Sequence, residues 1–201
     1  DFHYYLCRRL GGGMEITMNR DEFLKVYWKQ YRLLERDLIQ TDDYVSIDKD
    51  NYTTFSSQYT KLLLTTCSEM DSIAEQLCGI HEGKIPFGIR NKLDVLIEEY
   101  PNLKKYRVNT KYPYDIKNIT PMVKFDDSVS DWWQAYNDIK HRRMEANEAG
   151  RYNYTKANLK NVLHAMAALY ILNRKLYDSL EDVGKPGEAL ISNLFDDELM
   201  L

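Results

Sequence analysis

From Phe55 to Leu77 the chain carries a stripe of residues at steps of three and four: Phe55, Tyr59, Leu62, Thr66, Met70, Ile73 and Leu77. That is the 3.6-residue period of an α-helix, held for more than twenty residues. A helix of that length runs about 33 Å and cannot leave its apolar stripe in water, so a long partner is required. Lys156 to about Leu180 supplies one, with Leu159, Val162, Leu163, Met166, Leu169, Tyr170 and Leu176 on a broad stripe. Within it Ala165, Met166, Ala167 and Ala168 are small enough, apart from the flexible Met, to let another helix approach closely. Leu62, Leu63, Met70, Leu163, Met166 and Leu169 are therefore expected in one core.

The remaining elements are shorter. Asn19 followed by Glu22 has the spacing of a capping box and opens a helix over about 20–40, with Leu24, Tyr27, Tyr31, Leu34 and Leu38 as its apolar stripe. Gly79 is placed to end the second helix near Cys78. A weaker helix covers Ile89 to Tyr100 and stops at Pro101. From Tyr106 to Ile116 the period changes to two, which predicts a strand with Val108 and Tyr112 toward the bundle and Arg107, Asn109 and Lys111 toward solvent. Pro113 confines it to an edge strand or a hairpin broken there. Ser128 or Ser130 then caps a helix bearing "WWQAYNDIKHRR", and "EANEAGRYNY" reads as a loop. The expected fold is mainly α, a four- to five-helix bundle with a small β-strand or hairpin insertion at about 104–125. Residues 14–182 form that single domain, and 183–201 form a tail that docks on the bundle or on a protein partner. The first 13 residues, ending in "GGG" before Met14, read as a leader or disordered segment.

Composition narrows the class. The chain has 201 residues, 44% of them apolar, but no uninterrupted apolar run near the roughly 20 residues that span a bilayer, so no membrane role is expected. Cys7, Cys67 and Cys78 are too scattered for a zinc site or a disulfide framework. On one helix Cys67 and Cys78 would lie about 16 Å apart, so a reducing, cytoplasmic setting is expected. The net charge of −4 conceals a segment, 84–124, with nine basic and four acidic residues. Such a segment is either a polyanion-facing surface or a solvated lysine-rich face.

The chemistry-bearing candidates sit in one stretch. On a helix, Trp132, Tyr136 and Ile139 share an apolar stripe, and Trp133, Asn137 and Lys140 or His141 share the next. His141 lies one turn beyond Asn137 and is flanked by Lys140, Arg142 and Arg143. An imidazole set among cations can handle a proton while those cations hold a phosphate. The same residues also suit a plain helix C-terminus, where positive charge complements the dipole. No G-x-S-x-G, P-loop, G-x-G-x-x-G or H-E-x-x-H pattern is present, and no cofactor or metal is expected.

"YNDIKHRR" followed by "KANLKNVLHAMAALYIL", with "NYTTFSSQYTKLLLTTCSEMDSIAEQLC" before them, resembles bacterial helical proteins of the HEPN superfamily over about Asn19 to Leu180. The resemblance implies a homodimer that binds RNA or nucleotides, and a metal-independent ribonuclease of a toxin or phage-defence system. It implies attack by the RNA 2′-OH on the neighbouring phosphate, with His141 handling protons, Asn137 at the polar position and Arg142 or Arg143 supplying charge. Tyr136 stands where the family carries arginine. Tyr136, Lys140 and Arg143 are the accompanying binding residues, and the rival expectation is a non-catalytic helical interaction module with a structural histidine.

Overall fold

The Asn19 side chain accepts the Glu22 amide at 3.0 Å while Glu22 accepts the Asn19 amide at 3.0 Å, so the capping box forms as read. It opens helix α1, residues 20–39, which is α-helical over Arg20–Phe23 and Lys29–Ile39 with a π-helical turn at Leu24–Trp28 between them. Four further helices follow: α2 Ser57–Glu82, α3 Ile89–Glu99, α4 Asp131–Arg142 and α5 Leu159–Asp178. The computed structural model describes residues 9–10, 13–14, 18–82, 85–123, 130–180 and 190–196. The chain is a mainly α bundle with small β pairs, and no described helix is long and apolar enough to cross a membrane.

The core lies between α2 and α5. Leu62, Leu63, Met70, Leu163, Met166 and Leu169 are all buried in it, as the two long stripes require. Ala165, Ala167 and Ala168 are wholly buried, and the Thr66 hydroxyl donates to the Met166 sulfur at 3.3 Å across the helix pair. α1 adds an aromatic layer in which Trp28 stacks on Tyr31 at 4.7 Å and Tyr31 meets Tyr170 at 5.6 Å. α3 is tied to α2 by Lys92, whose ammonium is buried between Asp71 at 2.8 Å and Glu75 at 2.6 Å.

Two local expectations are corrected. Gly79 does not end α2, which continues to Glu82. Glycine costs a helix about 1 kcal/mol, and tertiary contacts of the last turn outweigh that: the Cys78 thiol reaches the Lys92 carbonyl at 3.5 Å, and His81 shares a 2.7 Å hydrogen bond with Tyr100. In the β insertion the faces differ from the alternation. Val108 is buried and Arg107 exposed as expected, but Tyr112 is 94% exposed and Asn109 only 5%. The chain turns at Tyr112–Pro113, with the Tyr114 amide donating to the Lys111 carbonyl at 3.0 Å, and so breaks the alternation. Asn109 Oδ1 instead accepts the Asn118 amide at 2.8 Å, and its strand has neighbours on both edges.

On one side of that strand the hairpin returns, with Val108 bridging Ile119 antiparallel. On the other side lies the tail. The described strands, numbered along the chain, are β1 Arg9–Leu10 paired with β2 Gly13–Met14, and β3 Asn109–Thr110 paired antiparallel with β4 Phe195–Asp196. Apart from β1 and the start of β2, the first 13 residues lie outside the described set, as do 181–182 of the expected domain and 183–189 and 197–201 of the tail.

Residues 190–196 dock on their own bundle, with Leu190, Leu194 and Phe195 buried. Their anchor is Glu35 of α1, 1% exposed, which no stripe predicts. Its carboxylate accepts the Tyr31 hydroxyl at 2.8 Å, the Ser192 hydroxyl, and the amides of Asn193 at 3.0 Å and Leu194 at 3.2 Å. Glu35→Ala removes the charged acceptor these donors share, leaving the Leu194 amide only Ser192 Oγ at 3.1 Å. It is expected to lower stability by about 3 kcal/mol and to speed hydrogen exchange at Asn193 and Leu194 well before the α2 and α5 amides. Unchanged protection of those two amides would show that the strand pairing alone holds the tail.

Candidate functional site

α4 is fixed at both ends, and this determines where its polar groups stand. At its start Ser130 occupies the N-cap position, but its hydroxyl donates to the Pro121 carbonyl at 3.1 Å instead of capping the helix. The Trp132 indole N–H meets the same carbonyl at 2.9 Å. Trp132, Trp133 and Tyr136 are all buried, with Trp133 4.9 Å from the Tyr136 ring, so Trp133 belongs to the core and not to a polar site. At its end the Arg142 carbonyl accepts the Asn153 side-chain amide at 2.9 Å and the Arg143 carbonyl accepts the Tyr154 amide at 3.2 Å.

The last turn carries Lys140, His141 and Arg142, where cations complement the partial negative charge of the helix end. His141 is exposed, and Asn137, half-buried, is its i−4 neighbour on α4. Tyr136 is 7% exposed and meets the cationic side through Lys140, whose Nζ donates to its hydroxyl at 3.0 Å and lies 5.2 Å from its ring centroid. The Arg143 Nε donates back to the Ile139 carbonyl at 3.4 Å. Arg142 is engaged by a carboxylate: its Nη2 donates to Asp138 Oδ1 at 2.6 Å.

Asp138 is buried and was not singled out by the stripe reading, although Arg142 four residues on is its ordinary helical partner. Lys156 Nζ donates to its other oxygen at 2.6 Å and Gln134 donates to the first at 2.9 Å. Burial alone would raise its pKa. The hydrogen bonds from Lys156, Gln134 and Arg142, with the charge of Lys156, outweigh burial and hold the carboxyl below its ordinary range. This ion cluster clamps the segment after α4 onto the helix.

That segment adds residues the motif did not include. Asn147 Oδ1 accepts the amides of Ala149 at 3.0 Å and Arg151 at 2.9 Å, and Gly150 takes the positive φ of 73° that the turn needs. The turn delivers Arg151, Tyr152 and Tyr154 beside the end of α4. Phe55, bridged to Asn158, lies against them: Phe55 and Tyr154 meet edge-on at 5.7 Å, and Tyr152 and Tyr154 stack at 5.8 Å and 14°. From sequence this stretch reads only as a loop; the signal it holds is "RYNY", an arginine followed by two tyrosines two positions apart.

A separate cavity of about 190 Å³ opens near the start of α4, lined in part by Ser130, Asp131, Lys160 and His164, and it takes in none of the motif's polar residues. The basic segment 84–124 is also elsewhere, and part of its charge is already matched: Lys92 by Asp71 and Glu75, Lys117 by Asp115 at 2.8 Å. Among the described residues no three His, Cys, Asp or Glu side chains converge as a metal site.

The half-buried His164 and the buried Asp138 should give separate acid limbs in the stability profile. Burial, then the charge of Lys160, pushes His164 from its ordinary 6.5 down to about 4. The unfolded imidazole thus binds its proton first, so the stability His164 contributes is complete above pH 6.5 and is lost as pH falls toward about 4. The depressed carboxyl of Asp138 contributes above about pH 4 and is lost as pH falls through its lowered folded value. In urea unfolding followed against pH, His164→Gln should flatten the first limb and Asp138→Asn the second. Asp138→Asn should also cost about 2 kcal/mol at pH 7. Compared with protein-family models, curated proteins and solved structures, the chain shows no significant match to any of them.

Proposed function

We propose that this chain is an HEPN-like, RNA-binding protein that contacts RNA through the cationic C-terminal end of α4. The observation that carries the reading is the exposure of His141 among Lys140, Arg142 and Arg143 while the aromatic half of the same helix is buried. α4 thus keeps its apolar residues for the core and presents cations to solvent. Phosphate contacts of that kind supply most of the affinity of a sequence-tolerant RNA binder. His141 is the group that would exchange protons with the RNA 2′-OH and the leaving oxygen, with Asn137 one turn behind it. The resemblance carries the rest of the proposal: a homodimer that brings two motifs together, acting in the cytoplasm in a toxin or phage-defence setting.

One observation favours a second reading, a helical interaction module without catalysis. Tyr136 stands at the family's arginine position and is buried, and Arg142 is engaged by Asp138. Cleavage therefore requires Arg143, or a cation from a second protomer, to stabilise charge in the transition state.

His141→Ala is expected to abolish RNA cleavage, or to weaken RNA binding where no cleavage occurs, with the melting temperature nearly unchanged, because truncating an exposed ring opens no cavity. Trp132→Ala should instead cost about 3–5 kcal/mol of stability. Fluorescence anisotropy with labelled RNA at 50 and 200 mM salt should show affinity falling steeply with salt. RNA affinity that is absent at both salts would leave the module reading in possession.

A further inference from the structure

We propose that Tyr152, Tyr154 and Phe55 form a stacking platform for the unpaired bases of single-stranded RNA. This rests on the RNA-binding reading and specifies its substrate as single-stranded. The three rings are 42%, 36% and 47% exposed, although each is large and apolar and the protein has a core to hold such rings. They are adjacent to one another: Tyr152 and Tyr154 lie nearly parallel with centroids 5.8 Å apart, within the offset-stacking range, and Phe55 closes on the edge of Tyr154 at 5.7 Å. Together they give one aromatic surface instead of scattered exposed side chains.

The surface is held rigidly. Tyr154 is fixed by the hydrogen bond its backbone N–H donates to the Arg143 carbonyl, Asn153 by the one its side-chain amide donates to the Arg142 carbonyl, and Tyr152 by its bridge to Ala146. Little ordering is then left to be done on binding. Those same hydrogen bonds place the rings next to the backbone of Arg142 and Arg143, with the exposed Arg151 preceding Tyr152. Exposed rings flanked by cations match the two needs of a single strand, whose bases stack on π-faces while its phosphates meet positive charge. A duplex hides its base faces within its own stack, so it can use the cations but not the rings.

The test uses the full chain with a fluorescein-labelled, unstructured 12-mer RNA and the same strand annealed to its complement. Wild type should prefer the single strand. Tyr152→Ser with Tyr154→Ser should weaken it on the order of tenfold to a hundredfold, leave the duplex affinity within about twofold, and keep the slope of affinity against salt. Tyr152→Phe with Tyr154→Phe retains the rings and should bind as wild type. Arg143→Ala with Arg151→Ala should lower the salt slope for both RNAs. If the serine pair binds the single strand as wild type does while the salt slope persists, the platform is overturned, the RNA reading stands, and the rings are left for a protein partner. If wild type binds neither RNA, both the RNA reading and the platform fall.

Discussion

The close contact of α2 with α5 is the constraint on which the other elements depend. Met166 of α5 takes the Thr66 hydroxyl of α2, and buried leucines and methionines of both helices fill the core around that contact. Fully burying one such side chain contributes about 1.5–3 kcal/mol, so this seam holds the largest block of hydrophobic stabilisation in the fold. α1, α3 and α4 each add one face to the pair already formed. Their contacts are smaller and more specific: an aromatic layer for α1, a buried lysine for α3, and two tryptophans and a tyrosine for α4.

Polar groups then fix what the apolar packing leaves adjustable. Glu35 and Asp138 are both buried carboxylates, and each gathers a separate segment onto a helix. Glu35 is met mainly by hydroxyls and backbone amides of the tail, so it recognises a strand end by its donors. Asp138 is met by Lys156, Arg142 and Gln134, so it holds the loop after α4 by charge. A buried carboxylate without such partners would be strongly destabilising, which is why each cluster acts as an all-or-none clamp. The Asp138 clamp also has a functional consequence: it pairs Arg142, whose side chain stays half exposed, and brings the aromatic loop to the end of α4.

Much of the fold was legible before any coordinates. The capping box at Asn19, the helix ending before Pro101 and the two long stripes depend on local spacing, and local spacing is what a helix reads. The failures were of another kind. Gly79 continues α2 because Cys78 and His81 find partners on and beyond α3, and Asn109 is buried where its side chain takes the Asn118 amide and its strand pairs with a tail strand 86 positions later. At the site, the order of residues in "WWQAYNDIKHRR" separated a core stripe from a cationic end, yet it put Trp133 on the stripe of Asn137 and passed over Asp138.

The sequence by itself determined that the chain is a helical bundle, which two stripes pack, and that His141 stands among cations at a helix end. These follow from periodicity, because side chains three and four residues apart share a face whatever surrounds them. Tertiary structure alone decided that Lys156 joins Asp138, that Glu35 anchors the tail, and that Phe55 meets Tyr154 from 99 positions away. Such pairings join segments distant in the chain, and only the packing of α2 against α5 brings them within reach of one another.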